Sequence, residues 1–160
     1  MKTGGGGGVK TGRRLPHGTV TFLFTDIEGS SRNWEEDAAA ANRALARHDN
    51  LFEALVAHHE GTVVRPRGEG DSRFAVFTQA SRAIAAALDI QRAFTVEPWP
   101  TRVPLRVRLA VHTGEASVRA GDYYGTTVNR CARLRSIAHG GQILVTRVTP
   151  SWRVPRCLTE

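Results

Sequence analysis

Three acidic side chains stand where chemistry could be done. Asp26 ends the apolar run TVTFLFTD, while Glu69 and Asp71 sit in the glycine-broken stretch VVRPRGEGDSRFAVF, with Arg65, Arg67 and Arg73 around them. If the end of the first run lies beside the tip of the second stretch, the carboxylates come close together. That is unfavourable unless something positive sits between them. Divalent cations with hard oxygen ligands meet the need, and magnesium suits it well. Two such ions about 4 Å apart can activate an attacking oxygen and stabilise a leaving one in phosphoryl transfer. The glycines of FTDIEGSS and GEGD would let backbone amides approach a triphosphate. A plainer reading stays open at this point: glycines and acids make turns, and Asp26 could cap the next helix.

Other reactive residue types read as structural. His112, at a strand end in VHTGE, fits a satisfied core histidine better than a catalytic one. His58 and His59 are neighbours on a helix, so their side chains diverge and do not suit a shared metal. Cys131 falls on the apolar stripe of a helix and reads as a small core residue, and with Cys157 it lacks metal-ligand spacing. Trp34 is expected to pack the first helix onto the sheet. Arg106 and Arg108 read as a solvated strand face; Arg130 and Arg135 flank a helix and could touch phosphates, though surface placement fits them better.

The elements that must position these residues follow from periodicity. TVTFLFTD (19–26) is a β-rich run, and residues 31–59 are helix-like with Leu45, Phe52, Leu55, Val56 and His59 on one stripe. TVV (62–64) and RFAVF (73–77) predict a hairpin. Residues 81–94 predict a helix with Ile84, Leu88 and Phe94 inward, ended before Pro98. Leu105, Val107, Leu109 and Val111 alternate along a half-buried strand at 104–114. A third helix at 125–137, the turn HGG and the strand QILVT (142–146) complete a β-α-β-β-α-β-α-β series. The series fits an α+β sandwich of the split-βαβ, ferredoxin-like kind, with helices on one face of a mostly antiparallel sheet.

At 160 residues, 41% hydrophobic and 23% charged, the chain suits one ordinary globular domain. Residues 1–17 read as a Gly-rich basic leader, 18–148 as the domain and 149–160 as an irregular tail. The leader has no apolar core of a secretory signal, and no run approaches the roughly 20 residues of a membrane span. Cytoplasm is the expected location, with no membrane partner. The net charge of +7 resides largely in Lys2, Lys10, Arg13 and Arg14, so residues 19–150 hold 16 basic against 14 acidic side chains. That balance, with no interleaved aromatic platform, argues against specific nucleic-acid binding.

FLFTDIEGSSRNWE, GEGDSRFAVF and LAVHTGEASVRAGDYYGTTVNRCARL resemble, in order and separation, the three signature blocks of the class III adenylate/guanylate cyclase catalytic domain. The resemblance covers roughly residues 18–147, and DYYGTTVNRCARL is its most specific block. It implies an α+β, palm-like fold. It implies that Asp26 and Asp71 bind two Mg2+ or Mn2+ ions, with the Ile27 carbonyl on the first. Glu69 is not a metal ligand in this register and is left to turn chemistry or to support around the ligands. Asn129 would orient the ribose, and Arg133 would stabilise charge on the α-phosphate, both acting across a head-to-tail homodimer. Asp122 matches the aspartate that accepts from the adenine amino group, and Arg67 stands where adenine-selecting members carry lysine. ATP is therefore favoured over GTP, and the implied products are 3′,5′-cyclic AMP and pyrophosphate.

The match departs in two places. RPRGEG is about two residues longer than the corresponding family segment and contains Pro66. The family also continues past the QILVT strand into a hairpin carrying a triphosphate lysine, whereas TPSWRVPRCLTE contains none. The chain is accordingly expected to be a truncated piece, to use an arginine instead, or to bind triphosphate weakly. Two readings follow besides a remote palm-like nucleic-acid protein. One is an active, most plausibly adenylate, cyclase. The other is a catalytically impaired cyclase-homology module that binds nucleotide or a partner inside a larger signalling or transcription-regulating protein.

Overall fold

The structure, a computed structural model, describes residues 14–64 and 70–149. Its elements run β1 (Gly18–Ile27), α1 (Ser30–Glu36), α2 (Ala38–His58), β2 (Thr62–Val64), β3 (Arg73–Phe77), α3 (Ala80–Val96), β4 (Val107–Arg119), β5 (Asp122–Tyr124), α4 (Thr126–Ser136) and β6 (Ile143–Val145). The sheet order is β2-β3-β1-β4-β5, with β6 also on β4. Every pairing is antiparallel except β4 with β6. The expected α+β class and mostly antiparallel sheet are present. The expected leader (1–17) lies mostly outside the described residues, as does nearly all of the tail (149–160).

The alternation in β1 decides the layering. Leu23 and Ile27 face one side, where α2 and α3 supply Phe52, Val56, Ala83, Ala86, Ala87, Ile90 and Phe94. Val20, Phe22 and Phe24 face the other, against Tyr123, Cys131 and the apolar side of α4. Helices thus cover both faces of the sheet, not one. A period-2 strand shows only that its faces differ, and here both are apolar enough to bury. The alternation expected along β4 holds: Leu105, Val107, Leu109 and Val111 all join the α2/α3 side.

Three other expectations shift. The single helix at 31–59 is two, broken at Asp37, whose backbone is extended and whose carboxylate accepts from the Ala40 amide at 2.9 Å. An N-cap aspartate satisfies an otherwise unpaired helix donor, so the break stabilises α2. The α3 stripe runs through Ala83, Ala86, Ala87, Ile90 and Phe94, with Ile84 and Leu88 only half-buried. Small alanines let α3 lie close to the sheet, and large residues at its margins mislead a hydropathy reading. β4 runs on to Arg119 and turns at Ala120 and Gly121, both at positive φ, into the unexpected short strand β5.

Candidate functional site

Asp26 is the next-to-last residue of β1, and it is 8% exposed. Cross-strand register sets its surroundings, because it stands opposite Arg108 on β4 while its neighbour Thr25 stands opposite Arg73 on β3. The Arg108 guanidinium donates through both Nε (2.8 Å) and Nη2 to Asp26 Oδ2. Ser72 Oγ donates to Asp26 Oδ1 at 2.9 Å, and Arg135 Nη1 donates to that same Ser72 hydroxyl at 2.8 Å. Arg135 sits over the Phe24 ring, 6.0 Å from its centroid, and its Nε is buried with no partner among the described residues.

Asp71 precedes the Ser72 that bonds Asp26, so the strand end and the hairpin tip come together as expected. One Asp71 oxygen, Oδ2, is buried and has no hydrogen-bond partner among the described residues. Asp71 and Ile27 also line one small recess, with Ser30, Asn33 and Trp34. An orphaned, buried carboxylate oxygen is an expensive feature unless a cation or donor completes it. Asp26 does not cap α1. The N-cap there is Gly29, in the left-handed region at φ +63, with no side-chain bond.

The donor set is lean. The described residues contain no group of three or more His, Cys, Asp or Glu placed to share a metal. A cation here would rest on Asp26, Asp71 and a backbone carbonyl such as that of Ile27, with substrate oxygens completing its shell. Hard oxygen ligands of that kind fit magnesium or manganese, which retain several non-protein ligands.

Asp122 lies far along the sheet from Asp26. Asp122 stands opposite Arg119, eleven residues along β4 from the Arg108 that faces Asp26. At about 3.3 Å per residue that is roughly 35 Å along the strand. Asp122 Oδ1 accepts from the Tyr123 amide at 2.8 Å. Asn129 and Arg133, one turn apart on α4, are both exposed, while Cys131, Val128 and Ala132 face the sheet. The helix starts against β4, where Thr127 Oγ1 donates to the Glu115 carbonyl, and ends with Arg135 beside Ser72. Arg67 and Glu69 lie outside the described residues.

Arg108, Ser72 and Arg135 are site residues that sequence reasoning missed. Arg108 is not on a solvated face: it lies on the α4 side of the sheet, paired with Asp26. Arg135 is not a surface residue. Trp34 is 38% exposed at the recess, so it covers the sheet only in part. Arg106 is exposed, as expected.

The other polar residues behave structurally. His112 is buried, bonded through Nδ1 to Thr146 Oγ1 at 2.8 Å. Burial, and then the positive charge of Arg130, hold its pKa below the usual histidine value. The Cys131 thiol is fully buried and burial pushes its pKa up to about 12, which makes it unreactive. His59 Nε2 pairs with Asp89 at 2.8 Å, and its ring meets that of His58 edge-on with 5.0 Å between centroids, so the two neighbours do not diverge as expected. No helix among the described residues is long and apolar enough to cross a membrane.

Comparison with known proteins bears on this geometry. Residues 13–156 match the adenylate and guanylate cyclase catalytic domain family. An uncharacterised protein of Mycobacterium tuberculosis is 40% identical over 142 residues, covering 89% of this chain and 47% of its own length. The receptor-type adenylate cyclase GRESAG 4.3 of Trypanosoma brucei brucei is 29% identical, over 82% of this chain and 14% of its own length. Among solved structures, an adenylate cyclase from Trypanosoma brucei in its monomeric state superposes with a TM-score of 0.77 at 28% identity, covering 88% of this chain and 78% of that one. The adenylyl cyclase CyaB from P. aeruginosa gives a TM-score of 0.74 at 26% identity, over 85% and 80% of the two chains. The chain thus spans less than half the length of these curated relatives.

Proposed function

The chain belongs to the adenylate and guanylate cyclase catalytic domain family, and we propose that it converts ATP to 3′,5′-cyclic AMP and pyrophosphate as a head-to-tail homodimer. The observation that carries this reading is the buried Asp71 Oδ2, without a partner among the described residues, one residue from the Ser72 hydroxyl that bonds Asp26. Two divalent cations held by Asp26, Asp71 and the Ile27 carbonyl would activate the ribose 3′-hydroxyl and neutralise the departing pyrophosphate. The chain's own residues supply the positioning. Ser72 and Arg135 fix the Asp26 carboxylate, and Arg108 holds it until a competing cation arrives. The adenylate cyclases among the similar proteins favour adenine, and so do Arg67 and Asp122. A cytoplasmic signalling role follows from that product.

Distance supports the dimer. Asp122 is roughly 35 Å along β4 from the Asp26 pairing, and Asn129 and Arg133 face outward. Asp122 can serve one nucleotide together with Asp26 only if a second copy presents it, and the outward-facing Asn129 and Arg133 are open to the same partner. The test is complementation. Asp71→Ala and Asn129→Ala should each be inactive alone. Mixed and allowed to exchange subunits, they should recover about a quarter of native activity, from heterodimers with one competent site. No recovery in a verified heterodimer would contradict the shared-site reading.

One observation favours the alternative, a cyclase-homology module without turnover. Arg108 already neutralises Asp26, so the pair does not require a cation to be stable. In that case nucleotide binding would persist without dependence on divalent metal.

A further inference from the structure

We propose that Arg73, anchored by Asp49, is a positioning residue that sets the direction in which Asp71 presents its carboxylate. Arg73 opens β3, and its side chain is largely buried on the α2 side of the sheet. Its fork makes three bonds of 2.8 Å. Nη2 donates to Asp49 Oδ2 on α2, and Nη1 donates to the carbonyls of Gly70 and Ser72. Those two carbonyls belong to the residues on either side of Asp71. The Gly70 carbonyl lies in the peptide plane that enters Asp71 and the Ser72 carbonyl in the plane one residue beyond it, so the two bonds clamp the chain on either side of Asp71 and restrict where its Cβ points.

The anchor is itself held. Asp49 Oδ1 bonds His48 Nδ1 at 2.8 Å, and the fully buried His48 ring lies between Phe52 and Phe94, at centroid distances of 6.5 and 5.2 Å. Burial alone would raise the Asp49 pKa, but bonds from His48 and Arg73 outweigh it and keep the carboxyl below its usual range. A rigid helix core is thereby connected through Asp49 and Arg73 to a turn that needs it. Gly70 sits at φ +127, where only glycine is at ease, so the turn has no local preference to hold its shape. Arginine is required for this task. Lysine could keep the ion pair with Asp49, but a single ammonium cannot also bridge two carbonyls in the same plane.

This inference rests on the reading of Asp71 as a cation ligand, so the experiment separates the two. Mn2+ binding to the purified chain would be followed by the loss of the free-ion EPR signal, with thermal unfolding in chelator measured alongside. Asp71→Asn tests the ligand; Arg73→Lys and Asp49→Asn test the brace. The expected result is that Asp71→Asn abolishes tight binding. Arg73→Lys should weaken it about tenfold, the lower end for residues that orient metal ligands, while unfolding in chelator stays near that of the native chain. Asp49→Asn should weaken binding in the same direction. If Asp71→Asn loses Mn2+ but Arg73→Lys and Asp49→Asn bind it as tightly as the native chain, the brace is overturned. If Asp71→Asn binds like the native chain, the cation reading falls and the brace with it.

Discussion

Replacing Arg108 by methionine should move stability and cation binding in opposite directions. In the native chain Asp26 Oδ2 receives two guanidinium bonds, and the side chains of Arg108 and Asp26 are 28% and 12% exposed. Pairs at the surface contribute about 0–1 kcal/mol, and breaking a fully buried one costs about 3–5 kcal/mol. With this partial exposure, and with Ser72 still donating to Oδ1, a loss of about 2 kcal/mol is expected. For a domain of this size that lowers the melting temperature in chelator by about 4–8 °C. The cation site gains by the same change. A unit positive charge about 5 Å away, at an effective dielectric constant near 20, opposes each charge of an incoming ion by about 3 kcal/mol before solvent screening. Removing it should tighten Mn2+ binding about tenfold or more. The assay is thermal unfolding of both chains across a Mn2+ titration. The variant should start lower and rise further. If it melts lower yet shows no larger Mn2+ shift, Arg108 does not compete with a cation, and the proposed role of Asp26 is wrong.

Two further outcomes follow from the packing and the charges. A Cβ added at Gly114 would lie 2.8 Å from Thr127 Cγ2 and 3.0 Å from its Oγ1. Thr127 cannot turn aside without losing its bond to the Glu115 carbonyl. Gly114→Ala should therefore cost about 1–3 kcal/mol, read by urea unfolding, and adding Thr127→Ser should recover part of it by removing the methyl. For His112 the folded pKa is depressed by burial and then by Arg130, so the unfolded chain binds a proton that the native chain refuses. Its contribution to stability is present above the unfolded value of about 6.5 and falls away as pH drops below it. His112→Gln should flatten the pH dependence of unfolding between about pH 5 and 7, and an unchanged slope would contradict the assignment.

What could be seen in the sequence was whatever a local pattern specifies. Asp26 and Asp71 were legible because a strand end and a glycine turn announce themselves, and the α+β class because the apolar periods alternate between 2 and 3.6. Arg108 was not, since its role depends on which residue of β4 stands opposite Asp26, and register is a property of two strands. Arg135 and Ser72 needed the facing of α4 onto the hairpin as well. The helices on both faces of the sheet were missed because β1 is apolar on both sides, so its alternation carries little contrast. The break at Asp37 went unseen inside a run of strong helix formers. That Asn129 and Arg133 would both be exposed on α4 could not be read from spacing. Their resemblance to family positions implied a role across an interface, and complementation tests it.

The central claim is tested most directly by incubating the purified chain with ATP, and separately with GTP, in millimolar Mn2+, and quantifying cyclic nucleotide by mass spectrometry beside Asp71→Ala. The account predicts cyclic AMP in excess of cyclic GMP from the native chain and neither from the variant. A folded, dimeric chain that makes no product, or a product yield that Asp71→Ala leaves unchanged, would contradict it.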